Sequence, residues 1–277
     1  MKLSIITIAY NNLAGLQKTL PSVLAQTYTD FEHIIVDGGS TDGSVDYIAN
    51  YAAQTTERNI VCKWLSEPDK GIYNAMNKGI RMATGEYCLF LNGGDYLCEA
   101  ASLQFAISNG DWVEDMIYCD KICISSDGKE TKVSYPKNIS AYFLWQSALP
   151  HQASFFKRTA LFDFGLYNEM LKYASDWELC LKMFVNNHCT YRHIPIYLSY
   201  FDTTGISSQS SNRQEMLEER QQVFARLCPS LITDFQRLQL LEKQIKNIDR
   251  RASSVGKVVL CIPRKLKYTL KKKFCCK

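Results

Sequence analysis

The chain has 277 residues, 46% of them hydrophobic and 22% charged, which excludes a largely disordered protein. No apolar stretch approaches the roughly 18–20 residues of a membrane span. The net charge of +4 hides a division: ten Lys and Arg and no Asp or Glu follow Asp249, so the body is mildly acidic and offers no basic groove for nucleic acid.

The first half alternates strand and helix signals. Leu3–Ala9 is a continuous apolar run, as expected of a parallel strand covered on both faces. It follows a single Lys and precedes no small-residue cleavage site, so it reads as a strand rather than a signal peptide. Asn11-Asn12 end it, and Leu13–Ala25 reads as a helix. Phe31–Val36 is a second strand, stopped by Asp37-Gly38-Gly39. Ser40 or Thr41 is expected to cap a helix over Val45–Ala53. Ile60–Leu65 is a strand, Gly71–Ala83 a helix, and Glu86–Leu91 a strand ended by Asn92-Gly93-Gly94-Asp95. This alternation with short links implies an α/β fold with a parallel sheet and right-handed crossovers.

After Ala100 the rhythm changes. Ala101–Ser108 reads as helix and Met116–Cys119 as strand, with Asp127-Gly128 turning a hairpin between Ile122–Ser125 and Thr131–Ser134. Ala153–Phe156 reads as strand. Ser175–Asn186 reads as a helix capped by Ser175, and Tyr191–Pro195 and Ile196–Phe201 as extended segments. Pro229 divides two helices, Gln209–Leu227 and Ser230–Ile248. In the second, Leu231, Phe235, Leu238, Leu241, Ile245 and Ile248 form an apolar stripe. It is read first as a helix packed on its own domain, with an oligomer seam over 230–248 as the other reading. The eleven cysteines are odd in number, scattered and without a CxxC pair, a pattern of reduced thiols in a cytoplasmic protein.

In an open parallel sheet, ligands bind beyond the carboxyl ends of the strands. Four successive strands here end in polar groups: Tyr10-Asn11, Asp37, Glu67 to Lys70, and Asn92 to Asp95. Neither GxGxxG after the first strand nor GxxxxGK[ST] is present, which disfavours a dinucleotide fold and a P-loop.

These segments are familiar in order and spacing. Ser4 to Asn11, Val36 to Gly43, Ser66 to Gly79 and Phe90 to Asp95 resemble family 2 glycosyltransferases of the GT-A fold. The subgroup most similar builds bacterial surface polysaccharides. The likeness is close over residues 3 to about 96 and thins to Pro150-His151-Gln152 and Ala174 to Glu178. It implies a GT-A domain over 1–205, with a nucleotide-sugar-binding half (1–100) and an acceptor half (101–205). C-terminal helices over 206–249 and a basic tail over 250–277 follow.

The resemblance also implies roles. Tyr10 lies against the nucleotide base, as an aromatic face can. Asp37 accepts from the ring N–H, and Thr7 and Asn11 join the same pocket. Lys70 stands before a helix start, within reach of the donor diphosphate or as a solvated lysine. Asn74 belongs to the donor site, although many relatives carry an acid there, and Asn77 caps or braces a loop. Gly94 lets the diphosphate approach the backbone. Asp95 is the metal candidate for Mg²⁺ or Mn²⁺, with a single carboxylate where the family usually has more. Asp176 takes the place of the family's catalytic base; its other reading is an acid in the first turn of a helix. Trp177 is an acceptor wall or core. His151 touches acceptor, diphosphate or metal, or is a structural hydrogen-bonder.

The expected activity is inverting transfer of a hexosyl or N-acetylhexosaminyl group from a nucleotide sugar, UDP being the commonest carrier in look-alikes. The acceptor is a lipid-linked or oligosaccharide hydroxyl. A nucleotidyltransferase and a catalytically weak sugar- or membrane-binding relative are the alternatives. In the tail, Leu266, Leu270 and Phe274 fall four apart among Lys and Arg, the pattern of a basic amphipathic helix on an anionic membrane surface. No nucleic-acid partner is expected. The enzyme is thus placed in the cytoplasm, peripheral on the inner face of the cell membrane.

Overall fold

The computed structural model describes residues 3–186, 189–205 and 208–261. In chain order the first half contains β1 (Leu3–Ala9), α1 (Leu13–Leu24), β2 (Phe31–Asp37), α2 (Ser44–Glu57), β3 (Val61–Ser66), α3 (Ile72–Met82) and β4 (Tyr87–Phe90). The second half contains β5 (Tyr96–Leu97), α4 (Ser102–Ile107), β6 (Met116–Ile124), β7 (Glu130–Val133), α5 (Ala141–Gln146) and β8 (Ser154–Lys157). It continues with α6 (Arg158–Asp163), α7 (Ser175–Leu181), β9 (Tyr191–Asp202), α8 (Arg213–Leu227) and α9 (Ile232–Cys261). Two compact units divide the chain, Met1–Leu227 and Cys228–Lys277.

The strands form one sheet in the order β3-β2-β1-β4-β8-β6-β9-β5, with β7 paired to β6. The first four strands are parallel, and every residue of β1 and β2 is buried. That is the burial their unbroken apolar runs require, since helices cover both faces of a parallel sheet. Antiparallel pairing of β4 with β8 carries the sheet into its mixed half. The expected α/β fold with a mostly parallel nucleotide-binding half is the observed one.

Local differences have local causes. Helix α2 starts at Ser44, because Gly43 takes a left-handed φ of +93°. Its capping carboxylate is Asp42, which accepts from the Ser44 N–H at 3.1 Å and from the Leu13 N–H of α1 at 2.9 Å. Ser40 and Thr41 are not its caps. Ser175 lies inside α7 and accepts from the Asn168 N–H instead. Glu219 of α8 meets the approach to α7, accepting from the backbone N–H groups of Lys172, Tyr173 and Ala174. The two extended segments after Tyr191 are one strand, β9, bulged against β6 beside Asp120, where Pro195 has no N–H for the ladder. In α9, Phe235 is buried while Leu238, Leu241, Ile245 and Ile248 are exposed. The tail segment from Pro263 lies outside the described residues.

Glu32 shows how the parallel half is fastened. This wholly buried carboxylate of β2 accepts from Ser4 Oγ at 2.7 Å, from the Thr84 N–H at 2.6 Å and hydroxyl at 2.8 Å, and from the Gly85 N–H at 3.1 Å. Lys63 pairs with it at 2.7 Å. Burial alone would raise its pKa, but Lys63, the Thr84 N–H and Ser4 outweigh burial and bring it down to about 2. A depressed folded pKa gives stability that is complete above the unfolded value and is lost as pH falls. Glu32→Ala should therefore cost about 3 kcal/mol at pH 7 by orphaning these donors. Urea unfolding should show this difference shrinking as pH drops from 4.5 toward 2; an equal midpoint at pH 7 would contradict it.

Candidate active site

The parallel register delivers the loops after β1, β2, β3 and β4 to one edge of the sheet. Tyr10 stands there with 64% of its surface exposed, an aromatic face with room for a planar ligand. Asn11 adopts a left-handed φ of 46°. Its N–H donates to Ser40 Oγ at 2.7 Å and its side-chain oxygen accepts from the Thr41 N–H at 2.9 Å. Asn12 caps α1 through the Gly15 N–H and donates to the Gly93 carbonyl at 2.8 Å. Adjacent asparagines thus tie the first loop to the second and the fourth.

Asp37 is wholly buried, and its carboxylate is spent on its own surroundings. Oδ1 accepts from Ser40 Oγ; Oδ2 accepts from the Gly39 and Ser40 N–H groups and from Ser66 Oγ at 2.6 Å. It fastens its own loop to the end of β3, with three donors on Oδ2 and one on Oδ1. Thr7 is buried within the sheet and bonded to His33 at 2.9 Å, away from the strand ends. Burial brings His33 down to about 3, so that ring is neutral at physiological pH. Asn74 accepts from the Lys70 N–H at 3.3 Å and donates to Glu169 at 2.8 Å. Asn77 also donates to Glu169 and exchanges hydrogen bonds with the Tyr167 backbone. Both asparagines brace the 167–169 segment. Lys70 is exposed.

At the end of β4, Gly94 takes a φ of +113° and its N–H donates to Thr19 Oγ1. The Gly93 N–H goes to Ile8. Neither N–H is free for a diphosphate. Asp95 follows, 5% exposed. Burial pushes its carboxyl up to about 6, with neighbouring Asp202 adding to the rise and His151 and Lys121 opposing it. Oδ1 accepts from the Asp202 N–H at 3.1 Å, while the Asp202 carboxylate is engaged by Lys18 and Thr204.

Asp176, second residue of α7, is partly exposed. Oδ1 accepts from the Tyr73 hydroxyl at 3.1 Å, and Oδ2 lies 3.3 Å from His151 Nδ1. The other nitrogen of that ring, Nε2, lies 3.2 Å from the Asn92 amide nitrogen. With Asn92 donating there, the neutral ring carries its proton on Nδ1 and gives it to Asp176. Burial raises the Asp176 pKa, but His151, the Trp177 N–H and Tyr73 prevail and hold it below the usual carboxylate range. Lys121, stacked 4.2 Å over Phe201, is lowered by burial and raised in part by both Asp95 and Asp176. One cationic group thus feels both carboxylates. Trp177 is core: it is 3% exposed, donates to the Leu144 carbonyl and lies under Arg220. Sequence reading gave no individual role to Tyr73, Asn92 or Lys121; Tyr73 and Asn92 lie within the familiar segments.

A family model described as Glycosyl transferase family 2 matches residues 4–155. The chain belongs to glycosyltransferase family 2. The mycobacterial PGL/p-HBAD biosynthesis glycosyltransferase of Mycobacterium tuberculosis is 31% identical over 217 residues, covering 78% of this chain and 82% of the relative. An uncharacterized glycosyltransferase of the same species is 33% identical, over 74% of this chain and 76% of its own length. S. aureus TarS 1–349 in complex with UDP-GlcNAc shares the fold at TM-score 0.62 and 19% identity, over 82% of this chain and 68% of that one. The mannosyltransferase PcManGT from Pyrobaculum calidifontis, solved with GDP-Man and Mn²⁺, gives TM-score 0.63 at 15% identity, over 98% of this chain and 79% of that one. The family 2 domain is a transferase built on the GT-A fold.

A divalent cation is tested by the donors present. Among the described residues no group of three His, Cys, Asp or Glu could hold an ion. Asp95 offers one oxygen without a partner among those residues. A hard cation takes six or more oxygens. The site therefore fits an ion shared with a diphosphate and water, and does not fit one held by protein alone.

A carboxyl raised by burial costs stability when ionised; the cost is present above the folded pKa and relieved as pH falls through it. Asp95→Asn should therefore be more stable than the parent at pH 8 by about 3 kcal/mol, at 1.36 kcal/mol per pKa unit. The advantage should shrink as pH drops through about 6 and vanish near 3.8. Denaturant titration at several pH values reads this, and equal stability at pH 8 would contradict it.

Proposed function

We propose that this family 2 enzyme transfers a sugar, with inversion, from a nucleotide-sugar donor to a hydroxyl of a lipid-linked glycan at a membrane surface. The observation that carries the reading is the Asp176 carboxylate, partly exposed, kept ionised and aimed by Tyr73 and His151. Such a group is a general base. As the acceptor oxygen attacks the anomeric carbon, Asp176 takes the hydroxyl proton and the nucleoside diphosphate departs. His151 donates to the carboxylate and fixes its orientation, with Asn92 setting the ring tautomer. The donor base stacks on Tyr10, and Lys70, exposed before α3, meets the diphosphate. A divalent cation, when bound, would be held by Asp95 and would neutralise charge on the leaving diphosphate. Lys121 supplies positive charge felt by both carboxylates.

The membrane part of the reading rests on the 250–277 sequence, whose ten Lys and Arg stand without a carboxylate. No described helix is long and apolar enough to cross a membrane, so attachment there would be peripheral. Each basic residue near an anionic surface contributes about 1 kcal/mol.

Asp176→Asn should lose about 10²–10⁴-fold in turnover with donor affinity unchanged, since the amide keeps the shape but cannot take the proton. Turnover within a few-fold of the parent would return Asp176 to a structural role. The full chain should co-sediment with phosphatidylserine-containing vesicles at low salt and release as salt rises, while a chain ending at Ile248 should stay in the supernatant. Equal sedimentation of the two would remove the tail as anchor.

A further inference from the structure

We propose that Glu219 and Arg220, adjacent residues of α8, are positioning residues for the Asp176–His151 pair, holding the carboxylate and the ring at the separation that transfer requires. The inference rests on the reading of Asp176 as the base. It gives a part in catalysis to a helix that follows the last segment carrying the family likeness.

The first observation is a missing cap. Asp176 is the second residue of α7, so its place depends on where that helix begins. Ala174 precedes the first turn and has no polar side chain to accept from it, and Ser175 Oγ accepts from the Asn168 N–H, on the chain before the helix. The entry to α7 is fixed from α8 instead. Glu219 Oε1 accepts from the Lys172 N–H at 2.7 Å, and Oε2 accepts from the Tyr173 and Ala174 N–H groups at 2.8 and 3.1 Å. Three successive backbone donors on one carboxylate set the path of the chain into α7. One turn earlier on α8, Glu215 accepts from the Tyr173 hydroxyl at 3.0 Å.

The second observation concerns Arg220. Its guanidinium lies 4.5 Å from the centre of the Trp177 ring, and Trp177 is the residue after Asp176. The same group donates to the Leu144 and Ser147 carbonyls at 3.3 and 3.2 Å. Trp177 Nε1 donates to that Leu144 carbonyl too, at 2.6 Å. From Ser147 the chain leads directly to His151. Arg220 thus joins the approach to His151 to the residue beside Asp176. Phe224, one turn further along α8 and 1% exposed, stacks against Trp177.

The pair needs this support because its contact is long. Asp176 Oδ2 and His151 Nδ1 are 3.3 Å apart, at the far end of hydrogen-bond range. A small shift of either approach ends the contact and lets the carboxylate turn away from the acceptor hydroxyl. A misplacement of about 1 Å can cost about 10²-fold in rate.

The test is a double-mutant cycle on the full chain. Turnover is read as release of nucleoside diphosphate from whichever of UDP-glucose, UDP-GlcNAc and GDP-mannose the parent consumes fastest. Calorimetry with the matching nucleoside diphosphate gives its affinity and counts folded sites, so that turnover is expressed per site. Glu219→Ala and Arg220→Ala should each lower turnover at least tenfold, with nucleotide affinity within twofold of the parent. On an Asp176→Asn background the same two substitutions should cost less than twofold, because the group they position no longer takes a proton. Glu219→Gln keeps one acceptor oxygen and should recover part of the loss. Arg220→Lys should not, since lysine keeps the charge but not the fork that joins two carbonyls. Glu218→Ala removes an exposed carboxylate from the same turn of α8 and should match the parent. An equal fractional loss on both backgrounds, a parallel loss of nucleotide affinity, or parent-like turnover in both single variants would overturn the assignment. If Asp176→Asn is impaired while Glu219→Ala and Arg220→Ala are not, the positioning role fails and the base stands. If Asp176→Asn itself turns over like the parent, the base is misassigned and the positioning role falls with it.

Discussion

Everything at the candidate site depends on β1 running parallel to both β2 and β4, with Ala9 opposite Asp37 and Ile6 opposite Phe90. Parallel strands end at the same edge, so their loops must meet. Meeting creates a second requirement, because loops carry backbone N–H and C=O groups that need partners. Here side chains of the loops themselves supply them. Asn11 bonds the loop after β2, Asn12 bonds the Gly93 carbonyl, and Asp37 gathers donors from its own loop and from Ser66 at the end of β3.

The carboxylates divide by how many of their lone pairs the protein uses. Glu32, Asp37, Asp42 and Glu219 each accept from several donors and work as fasteners. Asp69 and Asp95 each keep an oxygen without a partner among the described residues, and Asp176 is held by two side chains at the cleft. Environment then sets the charge. Glu32 and Asp176 are driven to ionise by donors that exceed the effect of burial, whereas at Asp95 burial prevails. Residue type is the same throughout, and the count of local donors decides the role.

This division explains what the sequence could and could not show. The strands β1, β2 and β4 were legible because continuous apolar runs have few alternatives in an α/β pattern. The edge at which chemistry collects was legible for the same reason. At Asp37 a one-dimensional pattern places the carboxylate but not the donors around it, Ser40 and Ser66. Nor does the pattern show that Thr7 meets His33. Trp177 was left between wall and core, and only the Leu144 carbonyl and Arg220 decide it. Tyr73 and Lys121 come to Asp176 and Asp95 from distant elements, and Asn92, three residues before Asp95, meets its partner His151 only in the fold. The exposed part of the α9 stripe has the periodicity of a packed helix, and periodicity does not reveal what packs on it.

The stitching of the loops by Asn11, Asn12 and Asp37 has a thermodynamic consequence. Loops that share hydrogen bonds open together, so the first, second and fourth strand ends form one cooperative unit. A nucleotide arriving there meets a floor already ordered in its absence. Little conformational entropy is left for binding to remove. Affinity is then governed by desolvating the ligand and filling the few unspent lone pairs, and small errors in ligand hydrogen bonding are not absorbed by a yielding site.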